Sequence, residues 1–330
     1  MKLLKSNASS HLDQPVLRAW FICLLFAGSW SNASNADNRP AIVADLPVTH
    51  SLVSMVTGDI ERPVLLIKGA ASPHDYSLRP SEAQRLASAD LVFWTSRELT
   101  PWLSRTLDNN RQPVQAIELM AAPQTIRLGY REGSRFDHGH DHGSPDHDSD
   151  HKHEDGHAAL VDPHGWLDPV NAIYWLGVIA DALSELDPSN ESKYQQNANT
   201  AKRKLEQLIE KVSLQLKPVS GSPFVVFHDS YHYFEQRFDI HAQAAIALGD
   251  AELPGIRRMN TLKQRLRQSK GVCVFTEPQF SDKIVNSLTR GMQVSMGSLD
   301  PLGATLQPGP ALYIGVIQNI ADELSNCLAA

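Results

Sequence analysis

The sequence lacks the commonest signatures of catalysis. It has no H-E-x-x-H helix, no G-x-S-x-G turn and no glycine-rich loop that would cradle a phosphate. Positive charge is scarce as well: 30 Lys and Arg stand against 37 Asp and Glu, a net charge of −7, which speaks against nucleic acid as a partner. Cysteine occurs only three times. No stretch beyond the amino terminus has the length and purity of a membrane span.

What is present begins with an expected export signal over residues 1–36. Lys2, Lys5 and Arg18 precede an apolar stretch at 19–28, too short to cross a bilayer, and two Ser-Asn-Ala triplets end at Ala33 and Ala36. A signal anchor is the competing reading. Cleavage after Ala36 would remove Cys23 and leave an exported protein with Cys273 and Cys327 as one candidate disulfide pair.

From Ala41 onward, short apolar runs alternate with amphipathic ones. AIVAD is followed by a helical stretch from Val48, PVLLI by one at 79–89, and LVFWTS by one at 100–107. The pattern resumes with FVVFHDS, a helix at 231–237, AQAAIAL, a helix at 256–269, GVCVFTE, a helix at 282–289, MQVSM and a last helix at 310–327. Such alternation predicts βα units and parallel sheets. The expected fold is α/β, with two lobes, each a parallel sheet flanked by helices, at 37–186 and 219–330. One long rigid helix within 187–218 joins them: residues 191–216 contain no Gly or Pro and carry Leu205, Leu208, Ile209, Val212 and Leu216 at helical spacing. Asp187 or Ser189 is expected to cap its start and Pro218 to stop it.

One tract breaks the pattern. Residues 137–157 hold seven histidines (His138, His140, His142, His147, His151, His153 and His157) interleaved with seven acidic residues, and nothing apolar to bury. It reads as a loop that captures metal weakly and at several points, against the alternative of a solvated insertion.

Three further histidines lie in unrelated segments: His74 in ASPHDYSLRPSE, His164 in DPHGWLDP and His228 in VVFHDSYHYFE. Each has a plain structural alternative: a solvated loop residue, a turn built by Asp162, Pro163 and Gly165, and a core histidine bonded to backbone. Each also falls at a strand end or a helix start, where ligands gather in doubly wound sheets. Together they can meet on one ion between the lobes.

The motifs GAASPHDYSLRPSE, DPHGWLDP, VFHDSYHYFE, FTEPQF and GSLDPLG, in that order over about residues 41–327, give the chain a resemblance to the zinc-uptake protein A family, the periplasmic zinc-binding components of ABC importers. The resemblance implies zinc as the carried ligand, a membrane permease as partner and a Cys273–Cys327 disulfide, and the chain is expected to act as a monomer. It carries His74, His164 and His228 over as the imidazole ligands. Some family members have Glu immediately before the first ligand histidine, where this chain has Pro73. Relatives that bind manganese use an acidic residue in the segment equivalent to GSLDPLG, so the resemblance makes Asp300 the expected protein source of a fourth donor, with water as the alternative and turn capping as its structural reading. Glu277 reads as a support to a ligand, and His50 as a residue that could approach the cleft.

Three neutral imidazoles and one oxygen suit four-coordinate Zn²⁺, whereas manganese favours more oxygen, and copper or nickel would also accept the nitrogens. The same set serves catalytic zinc, so an exported zinc hydrolase is one competing class and a metal-binding adhesin of this fold another. The absent motifs favour a binding protein over an enzyme.

Overall fold

A computed structural model describes residues 40–109, 114–131, 161–247, 249, 254–269 and 271–329. The expected leader at 1–36 and the histidine-rich tract at 137–157 lie outside them. Among the described residues no helix is long and apolar enough to cross a membrane.

The first half holds the strands β1 Ile42–Ala44, β2 Val64–Leu65, β3 Leu91–Trp94 and β4 Gln115–Glu118, all paired in parallel in the order β2-β1-β3-β4. Its helices are α1 Pro47–Thr57, α2 Pro80–Ala87, α3 Pro101–Asp108 and α4 Pro169–Leu186. All four begin on proline, whose fixed φ suits a first helical turn and whose missing N–H would have no partner there. β1 and β3 are buried along their whole length, as continuous apolar strands covered on both faces must be.

Helix α5, Glu191–Leu216, then runs 26 residues and buries Tyr194, Ala198, Ala201, Leu205, Leu208, Val212 and Leu216 as one stripe at three- and four-residue spacing. Its start differs from expectation. Neither Asp187 nor Ser189 caps it; Asn190 is the first flanking residue and makes no side-chain cap. A 3-10 turn at Pro188–Asn190 separates α4 from α5, so Asp187 closes that turn instead, accepting from Ser189 Oγ, Asn190 Nδ2 (2.7 Å) and Tyr194 Oη (3.0 Å). The helix stops at Leu216, and Lys217–Val219 forms the 3-10 turn that holds Pro218.

The second half repeats the topology with β5 Phe224–His228, β6 Ala244–Ala247, β7 Cys273–Thr276 and β8 Ser295–Ser298 in the parallel order β6-β5-β7-β8. Helices α6 His232–Phe238, α7 Ile256–Gln268, α8 Lys283–Thr289 and α9 Leu312–Leu328 accompany it. One edge strand escaped the sequence pattern and another is displaced from it. β4 is too poor in apolar residues to announce itself, and β8 lies downstream of the expected MQVSM because pairing with β7, Cys273 opposite Ser295 to Thr276 opposite Ser298, sets its register.

Apolar residues from both halves form one large core in which β1, β3, α1, α4, α5 and α9 meet the inner face of β5 and β7, represented by Phe224, Val226, Cys273 and Phe275. The alternate residues Val225, Phe227 and Val274 face a second, smaller core against α7 and α8. Helix α9 returns from the last strand to pack on α1 and α5, and its Tyr313 N–H donates to Ser51 Oγ on α1 at 3.0 Å. Cys273 and Cys327 form a disulfide with Cα atoms 6.0 Å apart, tying β7 to α9.

Candidate metal centre

In each sheet the chain leaves the central strand in one direction and returns on its other side. The switch points therefore lie between β1 and β3 and between β5 and β7, where a doubly wound sheet opens a crevice at its carboxyl edge. His228 is the last residue of β5, and Glu277 directly follows β7. Glu277 Oε2 stands 2.7 Å from His228 Nδ1, and Oε1 accepts the His228 backbone N–H at 3.3 Å. Both residues are buried, at 4% and 1% exposure. A carboxylate there fixes the ring and selects the tautomer that directs Nε2 outward.

His164 is held in the same manner by a different device. Asp162, two residues ahead, accepts the His164 backbone N–H at 3.0 Å and stands 2.7 Å from its Nδ1 through the same oxygen. Short aspartate side chains favour such local bonds to the following backbone, which is why D-P-H folds back on itself. The 3-10 turn Gly165–Leu167 follows, and Asp168 caps α4 by accepting from Val170 N at 2.9 Å. Trp166 packs beside the His164 ring, centroids 5.2 Å apart, and donates to Pro301 O at 2.8 Å.

His74 sits in the loop after β2, where Trp102 of α3 grips the backbone by donating to Pro73 O at 2.8 Å. It is half-buried rather than buried. Tyr76 and the Arg79 backbone both donate to Glu82 of α2, which anchors the far side of the loop.

The three rings lie side by side with His164 in the middle: centroids are 5.4 Å apart for His164 and His228, and 6.3 Å for His74 and His164. Two imidazoles bound to one tetrahedral ion with Zn–N bonds of about 2.0–2.1 Å have centroids about 5 Å apart. The first pair is near that spacing, and the second needs a movement of about 1 Å in the His74 loop. As placed, no three His, Cys, Asp or Glu side chains among the described residues stand close enough to hold an ion. Beside His164 and His228 is a small cavity of about 10 Å³, walled by Ser72, Pro73, Trp166, Gln279, Phe280, Pro301 and Leu302.

Asp300 has the geometry of its turn-capping reading. Its Oδ1 accepts from Gln279 Nε2 (3.1 Å), Leu302 N (3.3 Å) and Gly303 N (3.0 Å), and its Oδ2 from Thr305 N and Oγ1 (both 3.1 Å). Five donors surround its two oxygens, the geometry of a carboxylate that caps the LDPLG turn. His50 also lies elsewhere: its Nε2 is 3.0 Å from Pro63 O, and burial lowers its pKa.

Sequence reasoning did not anticipate the polar ties that α6 makes to the first half. Arg237 is bidentate to Asp168, both contacts at 2.7 Å. Tyr233 Oη accepts from Leu128 N and donates to Asp162 O, both at 2.9 Å. Arg131 bonds Asp229, the neighbour of His228, and Glu235 at 2.7 Å. Their only signal in the sequence is a run of polar residues interleaved with apolar ones in SYHYFEQR.

A family model described as "Zinc-uptake complex component A periplasmic" matches residues 42–327. The chain is 36% identical to the high-affinity zinc uptake system protein ZnuA of Brucella suis, over 95% of this chain and 99% of the relative. It is 33% identical to the protein of that name from Yersinia pestis, over 90% and 94%. Among solved structures, a crystal structure of ZnuA superposes with a TM-score of 0.70 at 23% identity, covering 88% of this chain and 99% of the other. The laminin-binding protein of Streptococcus agalactiae, titled a bifunctional protein with adhesin and metal-transporting activity, gives 0.70 at 22%, covering 88% and 100%. At those identities the superpositions speak for the fold.

Proposed function

Because this chain belongs to the family of periplasmic zinc-uptake complex components, we propose that it captures zinc with high affinity in the periplasm and delivers it to the membrane permease of an ABC importer. His74, His164 and His228 are the proposed imidazole ligands, the ion being cargo. The observation that carries this assignment is the pairing of two of these rings with carboxylates at Nδ1: Asp162 and Glu277, each at 2.7 Å, hold the His164 and His228 rings as the outer partners of metal-bound histidines do. Lobes at 37–186 and 219–330 with the link at 187–218, and a monomeric state, belong to the same proposal.

The family is one of transport components. The site's chemistry supports that reading over hydrolysis. A zinc hydrolase needs a base beside the metal-bound water, whereas Asp162 and Glu277, the carboxylates touching the ligand rings, are engaged in orienting histidine. The fold shared with an adhesin carries no function by itself.

Zinc titration of the mature protein, with competition by Mn²⁺, Cu²⁺ and Ni²⁺, tests the proposal. One tight zinc site is expected, with affinity falling as pH drops through about 6.5, where imidazoles take up protons and compete with the ion. A tight site insensitive to pH between neutral and mildly acidic conditions would contradict it.

A further inference from the structure

We infer that the side-chain amide of Gln279 supplies the fourth donor to the ion, an inference that rests on the three-histidine site proposed above. Gln279 follows the end of β7 by three residues and shares the wall of the small cavity with His164 and His228. Its Nε2 donates to Asp300 Oδ1 at 3.1 Å. An ionised carboxylate only accepts, so this bond fixes the nitrogen end of the amide at Asp300 and turns the oxygen end away from it. That oxygen, Oε1, is buried and has no hydrogen-bond partner among the described residues. A buried carbonyl oxygen without a donor is costly, and native proteins rarely leave one unless something else is meant to face it.

The wall beside His164 and His228 narrows the choice of protein donor. Apart from the imidazoles, two residues of the wall carry buried polar atoms without hydrogen-bond partners among the described residues, Gln279 Oε1 and Ser72 Oγ. A serine hydroxyl keeps its proton and turns only a weak dipole to a cation. An amide oxygen is the negative end of a larger dipole and belongs to the carbonyl donors that divalent cations accept. Asp300 then orients the donor, with the turn it caps as the scaffold.

The test compares the wild-type protein with Gln279→Leu, Ser72→Ala and His228→Ala. Zinc affinity is measured by chelator competition, and the visible absorption of the Co²⁺-loaded protein reports the donor set. Gln279→Leu is expected to weaken zinc binding by about 10–100-fold and to change the Co²⁺ bands, while Ser72→Ala changes neither. If Gln279→Leu keeps wild-type affinity and spectrum while His228→Ala loses tight binding, the Gln279 assignment is overturned and the three-histidine site stands. If His228→Ala binds zinc as the wild type does, both fall. Thermal melting of the zinc-free variants identifies a loss of folding. Should Gln279→Leu not fold, Gln279→Met, of similar length and without an amide oxygen, is read against the same two outcomes.

Discussion

The two sheets share one strand order, and the residues at their switch points do opposite work. Asp45 directly follows β1, wholly buried, and its carboxylate accepts the backbone N–H groups of Leu46 and Thr95, both at 2.7 Å. Thr95 directly follows β3. In the second sheet His228 ends β5, and its companion after β7 is Glu277. In the first pair, side chain and backbone satisfy each other and seal the crevice. In the second, a carboxylate stands against one nitrogen of a histidine ring and orients it, the arrangement on which the proposed site is built. Topology creates an equivalent opening in both halves, and side-chain chemistry decides which one becomes a site.

The sharpest way to break this comparison is His228→Ala. It should weaken zinc binding by more than about 1,000-fold, or about 4 kcal/mol, and calorimetry showing wild-type affinity would refute it.

Next in size is the pH response of the sealed pair. Burial pushes the Asp45 carboxyl up to about 6, against the hydrogen bonds from Thr95, Thr49 and Leu46 that pull it down. An acid whose pKa is raised in the folded state contributes stability that is complete below about 4 and is lost as pH rises through about 6. The loss should approach 3 kcal/mol, because each pH unit between the unfolded and folded values is worth about 1.4 kcal/mol. Chemical denaturation of zinc-free protein between pH 4 and 7 should show this component in the wild type and not in Asp45→Asn. Identical pH profiles for the two would rule it out.

Glu277→Gln tests the open pair more gently. The ring keeps a neighbour but loses the charge that fixes its tautomer, so zinc affinity should fall by about 10–100-fold with little change in melting temperature. An equal loss of stability and affinity would make Glu277 a structural residue. The smallest effect is expected from Asp45→Asn on zinc binding, within about twofold at pH 7 on the view that effects at well-separated, independent sites add. A tenfold loss would show the two switch points to be coupled.

Much of this architecture was legible in the sequence because its signals are local. Continuous apolar runs such as LVFW gave β3, and the unbroken periodicity of 191–216 gave α5. D-P-H-G-W-L-D-P contained both His164, one of the proposed ligands, and the Asp168 cap. The edge strands β2 and β6 were legible in PVLLI and AQAAIAL and β8 was expected slightly upstream in MQVSM, whereas β4 was not legible because it is poor in apolar residues. Asp300 shows the same limit at the site: an acid before a proline in a glycine-rich turn can ligate or cap, and only the five donors around it distinguish these roles.

The sequence by itself determined the order of βα units, the long helix, the three histidines and the identity of the two cysteines, because each is fixed by residues adjacent in the chain or at helical spacing. Tertiary structure alone decided that Glu277, 49 residues from His228, would orient its ring. It also decided that α9 would return to α1, and that Asp300 would accept from Gln279 Nε2 and leave Gln279 Oε1 buried without a hydrogen-bond partner among the described residues. Those outcomes depend on which strand ends and turns are brought together. Hydrogen-bond partners meeting within about 3 Å across the fold leave no periodicity for a sequence to display.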